Sequence, residues 1–324
     1  MLRILAGLAA LCLVLGGAAH AQDKYPSKPI RLVVPFAVGG GTDIPARIIA
    51  SKMSELLGQQ IVIENRAGAG GNVGTDVVAK APPDGYTLLL GSISALAINP
   101  GLYKKMPYDP VKDFEPIGLA ALGPIALVVH RSMPVTDLKG LLDLLKTNPG
   151  KYSYGSSGMG SILHLCGESL KMMAGGLDII HVPYRGSGPM MIDLSAGQIP
   201  MAFDGTPTVL PQLQAGTIRA LAMGTSQRAK SLPDLPTLDE LGLKGFECYF
   251  WVTFFAPAKT PKPIITLLSD TLNKALEDKT VATRLEDLGF EPTPGTSPEK
   301  LAAFLKAELA KWAPVIKASG AQLD

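Results

Sequence analysis

The stretch VVPFAVGGGTDIPAR, from Val33 to Arg47, decides how the first part of this chain folds. An apolar run over residues 30–35 is typical of a buried strand, and three consecutive glycines follow at 39–41. Thr42 or Asp43 then provides the signal for a helix start. Glycine lets a backbone approach a ligand closely, and free N–H groups at a helix N-terminus attract negative charge. The stretch therefore predicts an anion-binding loop.

Residues 1–21 have the pattern of a secretory signal peptide, with one basic residue, an apolar run and small residues ending in AHA. Cys12 lies within the apolar run and follows Leu11, where a lipid-modified cysteine would follow a small residue. We therefore expect a soluble exported protein that begins near Gln22. The alternative is that the segment is retained as a membrane anchor.

Charge and length limit the possible functions. The chain has 324 residues, with 30 basic and 28 acidic side chains. Loss of Arg3 with the signal peptide would leave 29 basic against 28 acidic groups, a balance that does not favour nucleic-acid binding. About 300 residues suffice for two domains. No later stretch is long and apolar enough to predict a membrane span.

Cysteine and histidine give no metal signature. Cys166 and Cys248 remain after removal of the signal peptide, either as buried free thiols, which we favour, or as a disulfide. His130, His164 and His181 are far apart in sequence and have no clustered carboxylates nearby, so no metal site is expected.

Strands and helices alternate along the chain, which predicts an α/β fold with mostly parallel sheets covered by helices on both faces. Small polar residues collect in the loops that follow the strands, where ligands bind in such sheets. These loops lie at 39–43, 68–72, 91–94, 155–161, 185–188 and 204–207.

Two long apolar stretches predict how the domains are joined. Residues 117–129 can leave one sheet and enter another, and residues 249–257 can carry the chain back. This predicts a discontinuous first lobe (22–124 plus 251–324), an inserted second lobe (125–250), and a ligand cleft with a hinge between them.

An ordered set of motifs covers nearly the whole chain after residue 21. It comprises PFAVGGGTDIPAR (35–47), ENRAGAGGNVG (64–74), DGYTLLLGS (84–92), YGSSGMGSILHL (154–165), VPYRGSGPMMIDLSAGQIPMAFD (182–204), AGTIRALAM (215–223) and LPDLPTLDELG (232–242). The set resembles the Bug solute-binding proteins, which are periplasmic receptors of tripartite tricarboxylate transporters. The resemblance implies a monomeric, two-lobed periplasmic-binding-protein architecture that closes over a small carboxylated solute and delivers it to membrane permease subunits, with neither cofactor nor catalysis.

The resemblance implies that the first loop (residues 36–43) contacts a carboxylate through backbone amides and ordered waters. The family often has proline where this chain has Val38, and valine adds a potential N–H donor. We expect Asp43 to cap the helix and Arg47 to form a structural ion pair. The candidate ligand-binding residues of this loop are Phe36, Val38, Gly39, Gly40, Gly41, Thr42 and Asp43.

The resemblance also implies that the second loop (residues 156–161) contacts the solute from the other lobe. Ser161 is a candidate cap for the helix that contains His164, which we expect to lie on the helix face. A nucleophilic serine is not favoured, because Met159 stands where the G-x-S-x-G motif requires glycine. The candidates here are Ser156, Ser157, Gly158, Gly160 and Ser161.

Three further candidates follow other strands. Ser92 ends a strand, Arg185 can pair with a carboxylate or form a surface ion pair, and Asp204 can face the ligand or cap the next helix. The main alternative function is an exported enzyme that uses a dinucleotide at residues 60–74. This segment approaches a dinucleotide fingerprint, but it has one residue too many and the next strand lacks the acidic residue.

Overall fold

The computed structural model describes residues 25–36, 38 and 42–323. The predicted signal peptide lies outside the described residues, and so do Gly39, Gly40 and Gly41 of the first loop. A single ten-stranded mixed sheet runs through the described chain. From one edge to the other, its strands are β2 (Ile61–Asn65), β1 (Ile30–Val34), β3 (Thr87–Ser92), β9 (Tyr249–Pro257), β4 (Phe114–His130), β7 (Met201–Gly205), β5 (Ser153–Ser156) and β6 (Ile180–Pro183). Two further strands, β8 (Ile218–Met223) and β10 (Glu291–Pro292), also pair with β4.

The first half of the sheet is built from strand–helix units, as the hydrophobic pattern predicts. Strands β1, β2 and β3 are parallel to one another, with β1 in the middle. The apolar positions of β1 and β3 are fully buried, because helices cover the faces of a parallel sheet, whereas the edge strand β2 is largely half-buried and Val62 is exposed. The elements are β1 (Ile30–Val34), α1 (Asp43–Leu57), β2 (Ile61–Asn65), α2 (Asn72–Ala79), β3 (Thr87–Ser92) and the short α3 (Asn99–Leu102).

Two long strands join the halves of the sheet. Strand β4 (Phe114–His130) pairs antiparallel with β9 (Tyr249–Pro257) along its first part, from Phe114 to Pro124. From Ile125 onward it pairs with β7 and β8 instead. The predicted strands at 117–129 and 249–257 are thus both present, and β4 extends from one half of the sheet to the other.

The second half repeats the strand–helix scheme. Strand β5 lies between β6 and β7 and is parallel to both. The carboxyl ends of these three strands therefore meet at one edge, where loops to the next helices begin. The elements are α4 (Leu138–Thr147), β5 (Ser153–Ser156), α5 (Ile162–Met173), β6 (Ile180–Pro183), α6 (Ser187–Ser195), β7 (Met201–Gly205), α7 (Thr206–Gln214) and β8 (Ile218–Met223).

The C-terminal segment returns to the first half and is helical, as the sequence pattern over residues 261–287 and 298–318 predicts. Its elements are α8 (Lys262–Glu277), α9 (Lys279–Asp287), the short β10 (Glu291–Pro292) and α10 (Pro298–Ser319). On α10, the buried Glu308 accepts hydrogen bonds from Tyr249 Oη at 3.1 Å and Trp251 Nε1 at 3.1 Å. This helix thereby holds the part of β9 that pairs with β4 between the two halves.

Cys166 on α5 and Cys248 just before β9 form a disulfide, and both side chains are fully buried. Their Cα atoms are 5.8 Å apart, within the range that a disulfide requires. The preference for free thiols was therefore wrong. The pairing depends on tertiary packing that brings α5 beside the residue before β9, and the two isolated cysteines do not reveal this packing. Within residues 42–323, no helix has the length and apolar character needed to cross a bilayer.

Candidate ligand-binding site

The first loop follows β1 and is tied to the end of β2. Val38 is 70 % exposed, and Phe36 is half-buried. The amide Nδ2 of Asn65, the last residue of β2, donates to the Phe36 carbonyl oxygen at 3.0 Å. The loop therefore starts from a fixed position at the carboxyl end of the parallel strands.

Asp43 is a buried carboxylate at the start of α1, with 1 % exposure. It accepts hydrogen bonds from Arg47 Nε at 2.9 Å, Arg47 Nη2 at 3.0 Å and Asn65 Nδ2 at 2.8 Å. The predicted structural ion pair of Arg47 is confirmed. The capping role expected for Asp43 is wrong, since Thr42 is the N-cap residue and its side chain makes no capping hydrogen bond. The paired carboxylate instead anchors the loop's junction with α1.

Ser92 is buried at the carboxyl end of β3, next to the loop from β1. Its Oγ accepts a hydrogen bond from the Ala95 amide at 3.3 Å, in the helical turn at Ser94–Ile98 that the sequence pattern did not predict. The oxygen thus stabilises a local turn, while the hydroxyl proton is still available as a donor.

The second loop lies between β5 and α5. Ser161 is the N-cap of α5, and its Oγ accepts from the His164 amide at 3.2 Å, which confirms the predicted cap. Ser156 Oγ lies 2.7 Å from His181 Nε2, and the Gly160 amide donates to His164 Nδ1 at 3.1 Å. The Ser156 oxygen and the Gly160 N–H therefore bond within the protein.

Gly160 has a backbone conformation that only glycine adopts easily, with φ at +72°. A Cβ atom there would lie 2.5 Å from Leu102 Cδ1, in the short helix α3 of the first half. The second loop consequently packs closely against a residue from the other half of the molecule.

His164 and His181 stack on each other beneath the second loop, with ring centroids 4.0 Å apart. Burial lowers the pKa of His164, and burial together with the neighbouring His164 lowers the pKa of His181 to about 4. Both rings are therefore neutral near pH 7. The sequence analysis placed His164 on the helix face but did not select His181. The sequence signal that could have identified His181 is a histidine on the strand that follows the serine-rich second loop and its helix.

Arg185 follows β6 and Asp204 lies near the end of β7, and the two residues differ in environment. Arg185 is exposed and forms no ion pair with the residues that the structure describes. Asp204 is 1 % exposed, and its Oδ1 accepts from the Gly205 amide at 2.8 Å and from Ser187 Oγ at 2.9 Å. Within the described part of the chain, Oδ2 has no hydrogen-bond partner. Burial raises the pKa of Asp204 to about 6, against the opposing effect of these two hydrogen bonds.

The glycines of the segment at 60–74 serve packing. A Cβ at Gly74 would lie 2.7 Å from the Arg66 carbonyl oxygen and 2.9 Å from Pro35 Cα. One at Gly71 would lie 3.2 Å from the ring of Phe36. The space that a pyrophosphate would need beside these glycines is filled by the protein itself. Across the described residues, no cluster of histidine, cysteine and carboxylate side chains is arranged to hold a metal ion.

The two-lobed α/β fold, with polar loops at the carboxyl ends of its strands, is the fold of solved periplasmic solute-binding proteins. The model of the tripartite tricarboxylate transporter family receptor matches residues 45–321. The chain belongs to this family. Protein BugT of Bordetella pertussis is 37 % identical over 325 residues, which cover 100 % of this chain and 99 % of BugT.

Two solved structures are similar in both sequence and fold. The R. palustris protein Rpa4515 with adipate is 41 % identical, has a TM-score of 0.81, and covers 92 % of this chain and 100 % of its own. MatC from Rhodopseudomonas palustris with bound malate is 34 % identical, has a TM-score of 0.77, and covers 90 % of this chain and 100 % of its own. These relatives are receptors, so the alternative of an enzyme that uses a dinucleotide is set aside.

Proposed function

We propose that this protein binds a small organic dicarboxylate between its two lobes and delivers it to the membrane subunits of a tripartite tricarboxylate-type transporter. The observation that carries the proposal is the similarity to two proteins whose solved structures hold adipate and malate, over nine-tenths of this chain. In this chain, loops with serine and glycine lie at the carboxyl ends of β1 and β5. Such loops can hold a carboxylate with neutral donors.

In this proposal one carboxylate binds the first loop, through the backbone N–H groups of Val38, Gly39, Gly40 and Gly41 and the Thr42 hydroxyl. Phe36 forms one wall of the cleft, and Asp43 contributes by fixing the loop through Arg47.

The second carboxylate binds the second loop. Because the Ser156 oxygen and the Gly160 N–H bond within the protein, the proposed donors are Ser157 and Ser161. Arg185 adds a charge-assisted contact. Ser92 and Gly158 complete the lining of the cleft near the ends of β3 and β5, and the buried Asp204 supports this lining at the end of β7 through its hydrogen bond from Ser187.

The proposed lobes are residues 22–124 plus 251–324 and residues 125–250, with the hinge where β4 and β9 pass between them. Ligand contacts made by both loops exist only in the closed form, so binding shifts the population toward closure. We further propose that the protein is exported by a cleaved signal peptide (1–21) and acts as a monomer in the periplasm.

Isothermal titration calorimetry tests the proposal directly. We expect malate, adipate or another acid from a panel of di- and tricarboxylates to bind with one site per chain. The diamide of the same acid should not bind, because it lacks the negative charges. Native mass spectrometry of freshly purified protein guides the panel by giving the mass of any retained ligand. Absence of binding across the panel by folded protein would contradict the proposal.

The substitution Gly40→Asp tests the first loop, since it places a carboxylate beside the bound one. We expect affinity to fall by at least about a hundredfold, as like charges at contact distance repel strongly. Gly216→Asp, in a turn between α7 and β8, is the control: a Cβ there meets no atom within 4 Å, and its φ of +67° is one that aspartate adopts more readily than most residues, so its folding is checked first. Unchanged affinity of the folded Gly40→Asp protein would remove the first loop from the site.

A further inference from the structure

The two buried histidines below the second loop each hold one end of it. His181 Nε2 lies 2.7 Å from Ser156 Oγ, at the start of the loop. His164 Nδ1 accepts the Gly160 N–H at 3.1 Å, near its end. Ser156 Oγ also accepts from the Gly158 amide at 3.1 Å. Three of the six residues of the loop are thereby linked, directly or through one oxygen, to the imidazole pair.

The hydrogen bond from Gly160 fixes the protonation state of His164. A ring nitrogen that accepts a hydrogen bond carries no proton, so the ring proton of neutral His164 is on Nε2. This Nε2 lies 4.0 Å from Glu168 Oε1. Protonation of Nδ1 would direct a second donor at the Gly160 N–H and would remove the acceptor on which the loop depends.

The charged groups around the pair do not favour two imidazolium ions. Glu168 is on α5 with His164, but it already accepts from Tyr154 Oη of β5 at 2.7 Å and pairs with Lys171 at 2.9 Å. Burial lowers the pKa of both rings and outweighs the Glu168 carboxylate, which favours their protonation, while the Lys171 cation opposes it. Two stacked cations with centroids 4.0 Å apart would also repel each other.

Water reaches this cluster through a cleft of about 340 Å³. The cleft is lined by Met159, His164, Glu168, Lys171, His181 and the C-terminal residues 319–322. The C-terminal residues on this lining, from Ser319 to Gln322, bring no ionisable side chain. Protons can therefore exchange with the rings, and residues 319–322 add no acid that would compensate the charge.

We propose that His164 and His181 are positioning residues for the ligand: two neutral, stacked imidazoles that hold the second loop in the shape that receives a carboxylate. This inference rests on the proposed function, because its binding measurement needs the dicarboxylate. It extends the site by two residues that act on affinity without touching the ligand. It makes affinity depend on both rings staying neutral, so affinity falls in acid beyond the effect of the ligand's own titration.

The test compares four variants with the wild type, by calorimetry with the dicarboxylate that binds the wild type. His164→Leu removes the acceptor, and His164→Asn keeps an acceptor oxygen near the place of Nδ1. His181→Gln keeps a polar atom near the place of Nε2. His130→Gln is the control, because His130 lies at the far end of β4 and bonds only locally to Ser132. At pH 7.5 we expect about a tenfold loss for His164→Leu and less than about a threefold loss for the other three.

The pH profile separates positioning from a structural role. The ligand's protonation cancels in the ratio of wild-type to variant affinity at each pH. Because the pKa of His181 is about 4, the effect should appear below pH 5. Between pH 7.5 and 3.5 we expect the wild-type affinity to fall about fourfold more than that of the double variant His164→Asn with His181→Gln. A ratio that stays constant over this range, in folded proteins, would overturn the proposal.

A measurement without ligand keeps this proposal distinct from the proposed function. If the wild type binds no acid of the panel, the proposed function fails, and the exchange rate of the Gly160 amide in the free protein decides the inference. We expect this amide to exchange at least about tenfold faster in His164→Leu than in the wild type and in His164→Asn. Equal protection in all three would overturn the inference.

Discussion

Asp204 illustrates how a single residue departs from what its sequence position suggests. The sequence placed this carboxylate at a strand end facing the cleft, where an exposed acid is expected. The structure buries it, with Ser187 and Gly205 bonded to one oxygen and no partner among the described residues for the other. Burial of this kind depends on how α6 packs beside β7, which local sequence does not specify.

The burial of Asp204 predicts a pH-dependent effect of Asp204→Asn on stability. Its pKa is raised from 3.8 to about 6, so the folded state prefers the protonated acid, and wild-type stability is lost as pH rises through this range. Relative to wild type, the free energy of unfolding of Asp204→Asn should therefore rise by about 2 kcal/mol between pH 4 and pH 7.5. Urea denaturation at both pH values measures this, with the exposed Asp270→Asn as control. A difference that does not change with pH would contradict the burial of a titrating carboxylate.

His181 shows that sequence reasoning also misses contacts between residues that are far apart in the chain. Its partner Ser156 is 25 positions away and on a neighbouring strand. The alternation of strands and helices predicted β5 and β6 as strands of a mostly parallel sheet, but neither their order nor which side chains would meet. Likewise, Cys166 and Cys248 are separated by 82 positions, and only the packed structure joins them.

At the scale of elements, the sequence predicted the strands and most of the helices, because buried parallel strands give continuous apolar runs that glycine and proline end. The helical turn and the short helix α3 within residues 94–102 were not predicted, since serine, asparagine and proline there do not favour a helix. The region 261–287 was read as helical throughout, but the structure breaks it at Asp278. Asp278 adopts an extended conformation and accepts from the Thr280 amide at 2.9 Å and the Val281 amide at 3.1 Å.

Asp278 therefore starts α9, and its loss should destabilise the protein through that helix. Asp278→Ala should lower the free energy of unfolding by about 1 kcal/mol, the usual value of an N-cap. Asp278→Asn should retain most of this stability, because it keeps the capping oxygen and loses only the exposed ion pair with Lys52. Thermal and urea unfolding of both variants provide the measurement. Equal destabilisation by the two substitutions would show that the ion pair, and not the cap, stabilises this junction.

At the scale of the whole molecule, β4 and β9 were predicted correctly as strands because each contains a long and mostly apolar run. Glu308 on α10 binds Tyr249 and Trp251 where β9 pairs with β4 between the halves. The disulfide adds a covalent connection from α5, which begins at the second loop, to the residue before β9. The lobe boundaries themselves remain a prediction.

Removing the disulfide should destabilise the chain strongly, because it closes a long loop. The cysteines are 82 positions apart, and the loss of loop-closure entropy in the unfolded chain corresponds to about 4 kcal/mol. The double variant Cys166→Ala with Cys248→Ala should unfold at a correspondingly lower urea concentration than the oxidised wild type. Reduced wild type is the matched control. If the oxidised and reduced proteins unfold at the same urea concentration, the cross-link does not contribute as the structure implies.

Hydrogen–deuterium exchange with and without the bound dicarboxylate tests most directly whether the ligand lies between the two lobes. Saturation with the acid found by calorimetry should slow exchange in residues 36–43 and in residues 156–161 together, since each loop holds one carboxylate in the closed form. Slower exchange in only one of these loops, or in neither, at a saturating ligand concentration would contradict the account.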